Sequence, residues 1–95
     1  MYFVYALHSP AFNKIYIGSS PDPERRFIQH NDNRNDGWTR QFQPWILIYT
    51  EKINAKTDAL IREKQLKSSR GREFIWGIIK NNNIIFQHLS NAEGG

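Results

Sequence analysis

The first twenty residues, MYFVYALHSPAFNKIYIGSS (Met1–Ser20), contain two runs of aromatic and β-branched side chains separated by a short break at Ser9-Pro10. In the first run, residues 2–8, alternate positions place Phe3, Tyr5 and Leu7 on one face, which is typical of a strand. The second run, Ile15-Tyr16-Ile17, is closed by Gly18-Ser19-Ser20. Because the two runs lie so close in sequence, we expect them to pair as an antiparallel hairpin.

The residues that follow the hairpin predict one helix and a third strand. Asp22-Pro23-Glu24 has the pattern of a helix start, with Asp as N-cap and Pro in the first turn, and we expect the helix to reach Asn31. The polar residues 31–37 predict a loop. The run after Pro44, residues 45–49, is apolar on both faces, so we expect a strand that is covered on both sides.

Two further helices are predicted after this strand. Residues 55–69 consist of good helix formers, and residues 72–79 continue as a second helix after an expected stop at Gly71. The predicted order of elements is therefore β-β-α-β-α-α.

The length of 95 residues and the 39% hydrophobic content predict a single domain with one core. We place this domain at residues 1–80 and a partly disordered extension at residues 81–95. The extension is ambiguous, because Ile84-Ile85-Phe86 can form a short strand whereas Ser90–Gly95 resembles a frayed tail.

Charge and composition bound the function classes. Thirteen Lys and Arg against nine Asp and Glu give a net charge of +4, which favours polyanionic partners but is also common in small domains for solubility alone. The chain has no cysteine, which excludes disulfides and thiolate chemistry and is compatible with a cytoplasmic location. No signal-peptide pattern and no apolar run of membrane-spanning length occurs, so we expect no membrane partner.

Glu63 is the most informative single residue. On a helical wheel it lies within the apolar stripe that contains Ala59 and Leu66. Burying an unpaired carboxylate is costly, so this side chain requires a cation, several hydrogen bonds or a metal ion. From the wheel alone, a structural salt bridge to another element is favoured over a metal site.

Two further groups of polar side chains suit phosphate chemistry. Arg26 and His30 are four residues apart and share a helix face, where a guanidinium and an imidazole can bind a phosphate or move a proton. Tyr16 shares a strand face with Lys14 and Gly18, and Gly18 permits close approach. Each signal alone is weak, since such residues usually form a solvated helix face or pack in a sheet.

In combination, these residues resemble the GIY-YIG nuclease superfamily, and within it the small stand-alone members of the UPF0213/URI type. The resemblance covers Tyr2 to about Ile78, and it is carried by Val4-Tyr5, Tyr16-Ile17-Gly18-Ser19, Glu24-Arg25-Arg26, His30-Asn31, Thr39-Arg40, Pro44-Trp45, Arg62–Ser68 and Gly71-Arg72-Glu73. It implies an α+β fold with a small three-stranded antiparallel sheet flanked by helices. Phe3, where the motif's name has a glycine, and Pro23, where leucine is common, depart from the pattern without removing a catalytic group.

The resemblance also implies roles for individual residues. Tyr5 and Tyr16 are the paired tyrosines, Arg26 contacts phosphate, His30 assists proton transfer or orientation, and Glu63 holds one divalent metal ion, Mg²⁺ or Mn²⁺. A single carboxylate argues against a two-metal site, and no small-molecule cofactor is implied. The expected function is metal-dependent hydrolysis of nucleic-acid phosphodiester bonds, with DNA favoured as the partner.

Basic residues outside this set are candidates for tracking a nucleic-acid backbone, with Trp38 and Trp45 available to stack bases. The principal candidates are Lys14, Arg40, Lys64, Lys67 and Arg70. Two alternatives stay open: a non-catalytic nucleic-acid-binding module, and a structural or partner-binding domain. The intact set of five site residues favours the enzyme, because a binding module does not require a buried metal carboxylate.

Overall fold

The structure is a computed structural model that describes residues 1–94, with side chains described for residues 1–81. Its strands are β1 (Tyr2–Ser9), β2 (Lys14–Ser20) and β3 (Ile46–Ile53), and its α-helices are α1 (Pro23–His30), α2 (Lys56–Lys67) and α3 (Ser69–Gly94). A short 3₁₀ helix, Trp38–Phe42, precedes β3. The predicted order β-β-α-β-α-α is confirmed, and the 3₁₀ helix is an addition that the sequence did not indicate.

The three strands form one antiparallel sheet in the order β2-β1-β3. In the β1–β2 hairpin, Tyr5 lies opposite Gly18, and Asn13 in the connecting turn has a positive φ of 54°. Asparagine tolerates this left-handed conformation better than most residues, which fits its place in the turn. The central strand is β1, and its residues Val4 to Leu7 are buried.

The sheet has an apolar cluster on each face because β1 is covered from both sides. On one face, Val4 and Ala6 pack with residues of α2 and α3, among them Leu66 and Ile75. On the other face, Tyr5 and Leu7 pack with Trp45 and with partly buried side chains that include Tyr16 and Phe27 of α1. The second cluster is the one that supports the candidate site.

Helix α1 begins as predicted. The Asp22 side chain accepts a hydrogen bond of 3.1 Å from the backbone N–H of Arg25, and Pro23 occupies the first turn. A proline costs nothing there, because the first N–H groups of a helix have no partner within the helix. This capped start fixes the direction in which Arg26 and His30 project.

Two sequence expectations about the elements are wrong. No residue of β3 is buried and Ile46 is half exposed, whereas the sequence predicted a strand covered on both sides. Gly71 does not end a helix; the break between α2 and α3 falls at Ser68, and Gly71 lies inside α3. A Cβ on Gly71 would lie 2.3 Å from the carbonyl oxygen of Gln65, so a glycine is required for the two helices to approach this closely.

The backbone of α3 is helical through Gly94, so the alternative of a short strand at Ile84-Ile85-Phe86 is wrong. The predicted extension at residues 81–95 lies almost entirely outside the residues whose side chains are described. The division into a domain at residues 1–80 and a partly disordered extension therefore stays a prediction. Within the part of the chain that the structure describes, no helix is long and apolar enough to cross a membrane.

Candidate functional site

A cavity of about 640 Å³ opens between α1, the segment after it, the 3₁₀ helix and strand β2. Its walls include Tyr16, Arg26 and His30, together with Trp38 and Thr39. Three of the four residues expected to be catalytic therefore face one concavity, and the fourth, Tyr5, lies directly beneath it.

Tyr5 reaches this position because its cross-strand neighbour has no side chain. A Cβ on Gly18 would lie 2.6 Å from the Tyr5 hydroxyl oxygen, so the phenol occupies the space above the glycine. The hydroxyl lies 3.1 Å from Nε2 of His30. Any larger residue at position 18 would displace this buried hydroxyl.

Burial raises the pKa of Tyr5 to about 12. The phenol of Tyr16 and the carboxylate of Glu63 act in the same direction, whereas the nearby guanidinium of Arg26 opposes them. Tyr5 is therefore protonated at neutral pH and acts as a hydrogen-bonding group and not as a base.

His30 is held from both sides of its ring. In addition to the Tyr5 contact at Nε2, its Nδ1 lies 2.9 Å from Oγ1 of Thr39, and the side chain is 6% exposed. Burial, assisted by the nearby charge of Arg26, lowers the pKa of His30 to about 4. The imidazole is thus neutral at pH 7, and the arrangement favours the orienting role over that of a free general base.

Tyr16 is the tyrosine that faces the cavity. Its ring centroid lies 4.6 Å from that of His30 and 6.4 Å from that of Trp45, which support the ring from behind. The side chain is partly exposed, so its hydroxyl is open to a ligand in the cavity. Lys14, two residues earlier on the same face of β2, is exposed.

Arg26 projects from α1 with its side chain exposed at the rim of the cavity. Among the residues with described side chains, its only side-chain hydrogen bond is one of 2.7 Å to Oε1 of Gln29, one helical turn away. Because no carboxylate is paired with it there, most of its donors are available to an anion.

Glu63 reaches the site by a different route. It lies on α2, against the opposite face of the sheet, and meets edge strand β2 at Ser19, next to Gly18. Its Oε1 accepts a 2.6 Å hydrogen bond from the Ser19 hydroxyl, and its Oε2 lies 2.8 Å from Nζ of Lys67. Glu63 does not line the cavity, so the structure brings four of the five expected site residues together and places the fifth on α2, where it contacts Ser19.

The surroundings of Glu63 differ from those assumed from the helical wheel. The side chain is 20% exposed, and its cation is a half-exposed lysine on the same helix, not a residue from another element. Partial burial raises the pKa of Glu63, but the hydrogen bonds from Lys67 and Ser19 together outweigh it, so the pKa lies below its ordinary value. The carboxylate is ionised at neutral pH.

For a divalent cation of the Mg²⁺ type, Glu63 supplies one of the required oxygen ligands, and the others must come from water or substrate. Within residues 1–81, no cluster of three or more acidic, histidine or cysteine side chains could enclose a metal ion. Mg²⁺, however, usually keeps several waters and takes one or two carboxylates plus phosphate oxygens from a substrate. One ionised and partly exposed carboxylate is compatible with that mode of binding.

The basic residues predicted to contact nucleic acid fall into two groups. Lys14 and Arg40 are exposed on β2 and on the 3₁₀ helix, two elements that contribute to the wall of the main cavity. Lys64 and Lys67 lie on α2, and Arg70 borders a second, smaller cavity between α2 and α3. None of these five residues lines the main cavity itself.

The expectation that Trp45 stacks bases is wrong, because this residue is 2% exposed. Its indole N–H donates a 2.7 Å hydrogen bond to the backbone oxygen of Thr39, and its ring packs in the core. Trp38, in contrast, is 48% exposed and remains available.

Sequence reasoning assigned no role to Thr39, Asn35 or Ser19. Thr39 accepts a 2.7 Å hydrogen bond from the Asn35 amide while contacting His30, and Ser19 binds Glu63. The only signal was their presence within or near the stretches that carry the family resemblance, because small hydroxyl and amide side chains in a loop have many other uses.

Comparisons with known proteins give one family match and several individual relatives. Residues 1–76 match the GIY-YIG catalytic domain family. A UPF0213 protein of Staphylococcus saprophyticus is 35% identical over 54 residues, which cover 57% of this chain and 66% of that protein. A UPF0213 protein of Natronomonas pharaonis is 34% identical over 67 residues, covering 70% of this chain and 78% of that protein.

The structure-specific endonuclease subunit SLX1 of Scheffersomyces stipitis is 39% identical over 66 residues, which cover 62% of this chain. The match spans only 20% of that much longer protein. No solved structure matches the chain significantly.

Proposed function

This chain belongs to the GIY-YIG catalytic domain family, which is a family of nucleases, and we propose that it is an endonuclease that hydrolyses DNA phosphodiester bonds with one divalent metal ion held by Glu63. The observation that carries the proposal is the convergence of Tyr16, Arg26 and His30 on one cavity above the Tyr5 hydroxyl. A phosphate in this cavity would meet a cation, a phenol and a neutral imidazole at once.

Arg26 is the residue proposed to bind the scissile phosphate. Its exposed guanidinium can donate two hydrogen bonds to the non-bridging oxygens, whose negative charge grows in the transition state. Since these donors have no carboxylate partner among the described side chains, binding a phosphate does not require an ion pair to be broken.

Tyr16 is the residue proposed to position the attacking water, with Lys14 nearby on the same strand face. To accept the proton of that water it must act as the phenolate, after its own hydroxyl proton has been released to solvent. Tyr5 cannot share the role of base, because its pKa of about 12 keeps the proton on its hydroxyl. Tyr5 and His30 instead hold each other in place under the cavity, and the His30 ring in turn supports the Tyr16 ring at 4.6 Å.

Glu63 is the proposed metal ligand. When bound, a divalent ion of this kind stabilises the leaving oxygen as a Lewis acid. Lys67 is half exposed, so its ammonium can leave the carboxylate without opening the core. Ser19 can keep its hydrogen bond to Oε1 and fix the orientation of the carboxylate.

The experiment is an incubation of purified protein with linear and branched DNA of matched sequence; a branched substrate is included because SLX1 is a structure-specific endonuclease subunit. We expect cleavage with Mg²⁺ or Mn²⁺, its loss with chelator, and its absence from a Tyr16→Phe variant purified in parallel. DNA that is bound but not cut under all these conditions would instead support the non-catalytic binding module.

A further inference from the structure

Three aromatic rings form a continuous surface beside the cavity. Trp38 lies 4.7 Å from Phe42, and Phe42 lies 5.5 Å from Phe12, measured between ring centroids. Trp38 also lines the cavity itself. The three residues, called here the aromatic surface, run from the cavity wall to the β1–β2 turn.

The exposure of the aromatic surface is unusual. Trp38 and Phe12 are each 48% exposed, although Trp38 touches the buried Trp45 at 6.0 Å. A single exposed ring needs no explanation, but a set of contacting rings at the edge of a cavity marks a binding surface. No described side chain covers the outer faces of Trp38 and Phe12.

The charges around the aromatic surface identify the class of ligand. The Lys14 ammonium lies 5.6 Å from the centroid of Phe42, and Arg40 is exposed on the same short helix as Trp38 and Phe42. The acidic residue that lines the cavity, Asp32, is already paired with Arg34 at 2.7 Å. Flat apolar rings flanked by cations that form no ion pair among the described side chains complement a ligand that carries flat rings and phosphates.

We propose that the aromatic surface stacks the unpaired bases of a nucleic-acid strand whose phosphate enters the adjacent cavity. Base stacking on aromatic side chains requires an accessible base face, and in a duplex those faces are covered by neighbouring base pairs. The substrate class is therefore a nucleic acid with unpaired nucleotides beside the scissile bond. This inference rests on the proposed function and specifies its substrate.

The test measures binding without cleavage, so that it is independent of catalysis. Fluorescence anisotropy in the presence of chelator compares one labelled DNA oligonucleotide as a single strand, the same oligonucleotide in a duplex, and an RNA single strand of the same sequence. The variants are Trp38→Leu and Phe12→Leu, with Phe74→Leu as the control, since Phe74 is 47% exposed but lies on α3 against Tyr49. If Trp38→Leu disturbs the core through the contact with Trp45, Phe12→Leu still tests the stacking role of the aromatic surface.

We expect the wild type to bind at least one single strand more tightly than the duplex. Loss of one stacking ring should weaken single-strand binding roughly tenfold and leave duplex binding unchanged. The Phe74 control should behave as wild type. A wild type that binds the duplex as tightly as both single strands overturns the proposal, as does an equal loss on single strand and duplex in the variants. Failure of cleavage with this preference intact would count against the proposed function alone.

Discussion

At the scale of single residues, the central feature is a chain of hydrogen bonds that runs through His30. Asn35 donates to Thr39, Thr39 contacts Nδ1 of His30, and Nε2 contacts the Tyr5 hydroxyl. His30 and Thr39 are 6% and 5% exposed, so water cannot easily replace these contacts. The chain connects the segment after α1 to the central strand, and it fixes the floor of the cavity.

This arrangement predicts a specific dependence of stability on pH. The folded pKa of His30, about 4, lies below its ordinary value of 6.5, so the unfolded state binds more protons between these values. Stability should be complete above pH 6.5 and fall towards pH 4, by at most about 3 kcal/mol from this residue. His8, whose pKa burial also lowers, contributes in the same direction.

Urea unfolding of wild type and His30→Gln at pH 7 and pH 4.5 measures the contribution of His30. We expect His30→Gln to lose less unfolding free energy than wild type between pH 7 and pH 4.5, whatever its absolute stability. A His8→Gln variant should still lose most of the free energy that wild type loses. An equal loss in wild type and His30→Gln would show that the His30 imidazole is not held neutral by burial.

Arg26 and its neighbour Arg25 form a matched pair for the phosphate-binding role. Both are exposed on α1, but only Arg26 lines the cavity. We expect Arg26→Ala to lower kcat about 10²–10³-fold, as for loss of one group that stabilises transition-state charge, with unfolding little changed. Arg25→Ala should retain nearly full activity. Equal losses of activity in the two variants would show that Arg26 contributes only to the general surface charge and does not bind the scissile phosphate.

At the scale of elements, the junction of α2 and α3 determines how Glu63 is presented to β2. The break at Ser68 lets α3 turn back against α2, and the close contact at Gly71 holds the two helices together. Both helices pack on the face of the sheet opposite the cavity, through Leu66 and Ile75. A change in this junction should therefore affect fold stability first and the metal site second.

Two glycines of α3 test the junction because they have opposite surroundings. A Cβ at Gly71 would lie 2.3 Å from backbone atoms of Gln65 and Leu66, whereas a Cβ at Gly77 would meet nothing within 4 Å. We expect Gly71→Ala to destabilise the fold by about 1–3 kcal/mol. Gly77→Ala should stabilise it by roughly 0.5–1 kcal/mol through helix propensity. Thermal unfolding of both variants is the measurement, and destabilisation by both would contradict this account of the junction.

The same elements show what sequence reasoning can and cannot predict. The hairpin and the start of α1 followed from local patterns, namely the alternation in residues 2–8 and the cap at Asp22. The environment of β3 did not, because an apolar run does not reveal how completely helices and loops cover the two faces of a strand. The roles of Gly71 and Trp45 also depended on contacts between distant segments. The cavity residues were found through the family resemblance, whereas Thr39 emerged only from its contact with His30.

At the scale of the whole molecule, the net charge of +4 includes exposed basic residues on the elements that form the cavity wall, namely Lys14, Arg26 and Arg40. Their contribution to nucleic-acid binding should be electrostatic and sensitive to salt. Lys80, exposed on α3 on the other face of the sheet, offers a control of equal charge.

We expect the affinity for DNA to fall steeply as salt rises. Lys14→Gln and Arg40→Gln should each reduce the slope of log affinity against log salt by about one, while Lys80→Gln leaves it unchanged. The measurement is a binding titration in chelator over a series of salt concentrations. Tight binding that ignores ionic strength would rule out this electrostatic contribution.

The central claim is that Glu63 holds the metal ion required for cleavage and is not merely a member of a surface ion pair. Lys67 separates the two possibilities, because Lys67→Gln removes the ion pair but leaves the carboxylate in place. Glu63→Gln removes the charge while keeping an oxygen that can accept from Ser19. An exposed i,i+4 pair contributes only about 0.3–0.5 kcal/mol, so neither variant should lose much stability.

The decisive measurement is the rate of cleavage of one branched DNA by wild type, Glu63→Gln and Lys67→Gln, each titrated with Mn²⁺ and checked by thermal unfolding. We predict that Glu63→Gln loses cleavage by about 10²-fold or more at every Mn²⁺ concentration while staying folded, and that Lys67→Gln still cuts. A folded Glu63→Gln variant that cuts at the wild-type rate, with the wild-type dependence on Mn²⁺, would contradict the assignment of Glu63 as the metal ligand.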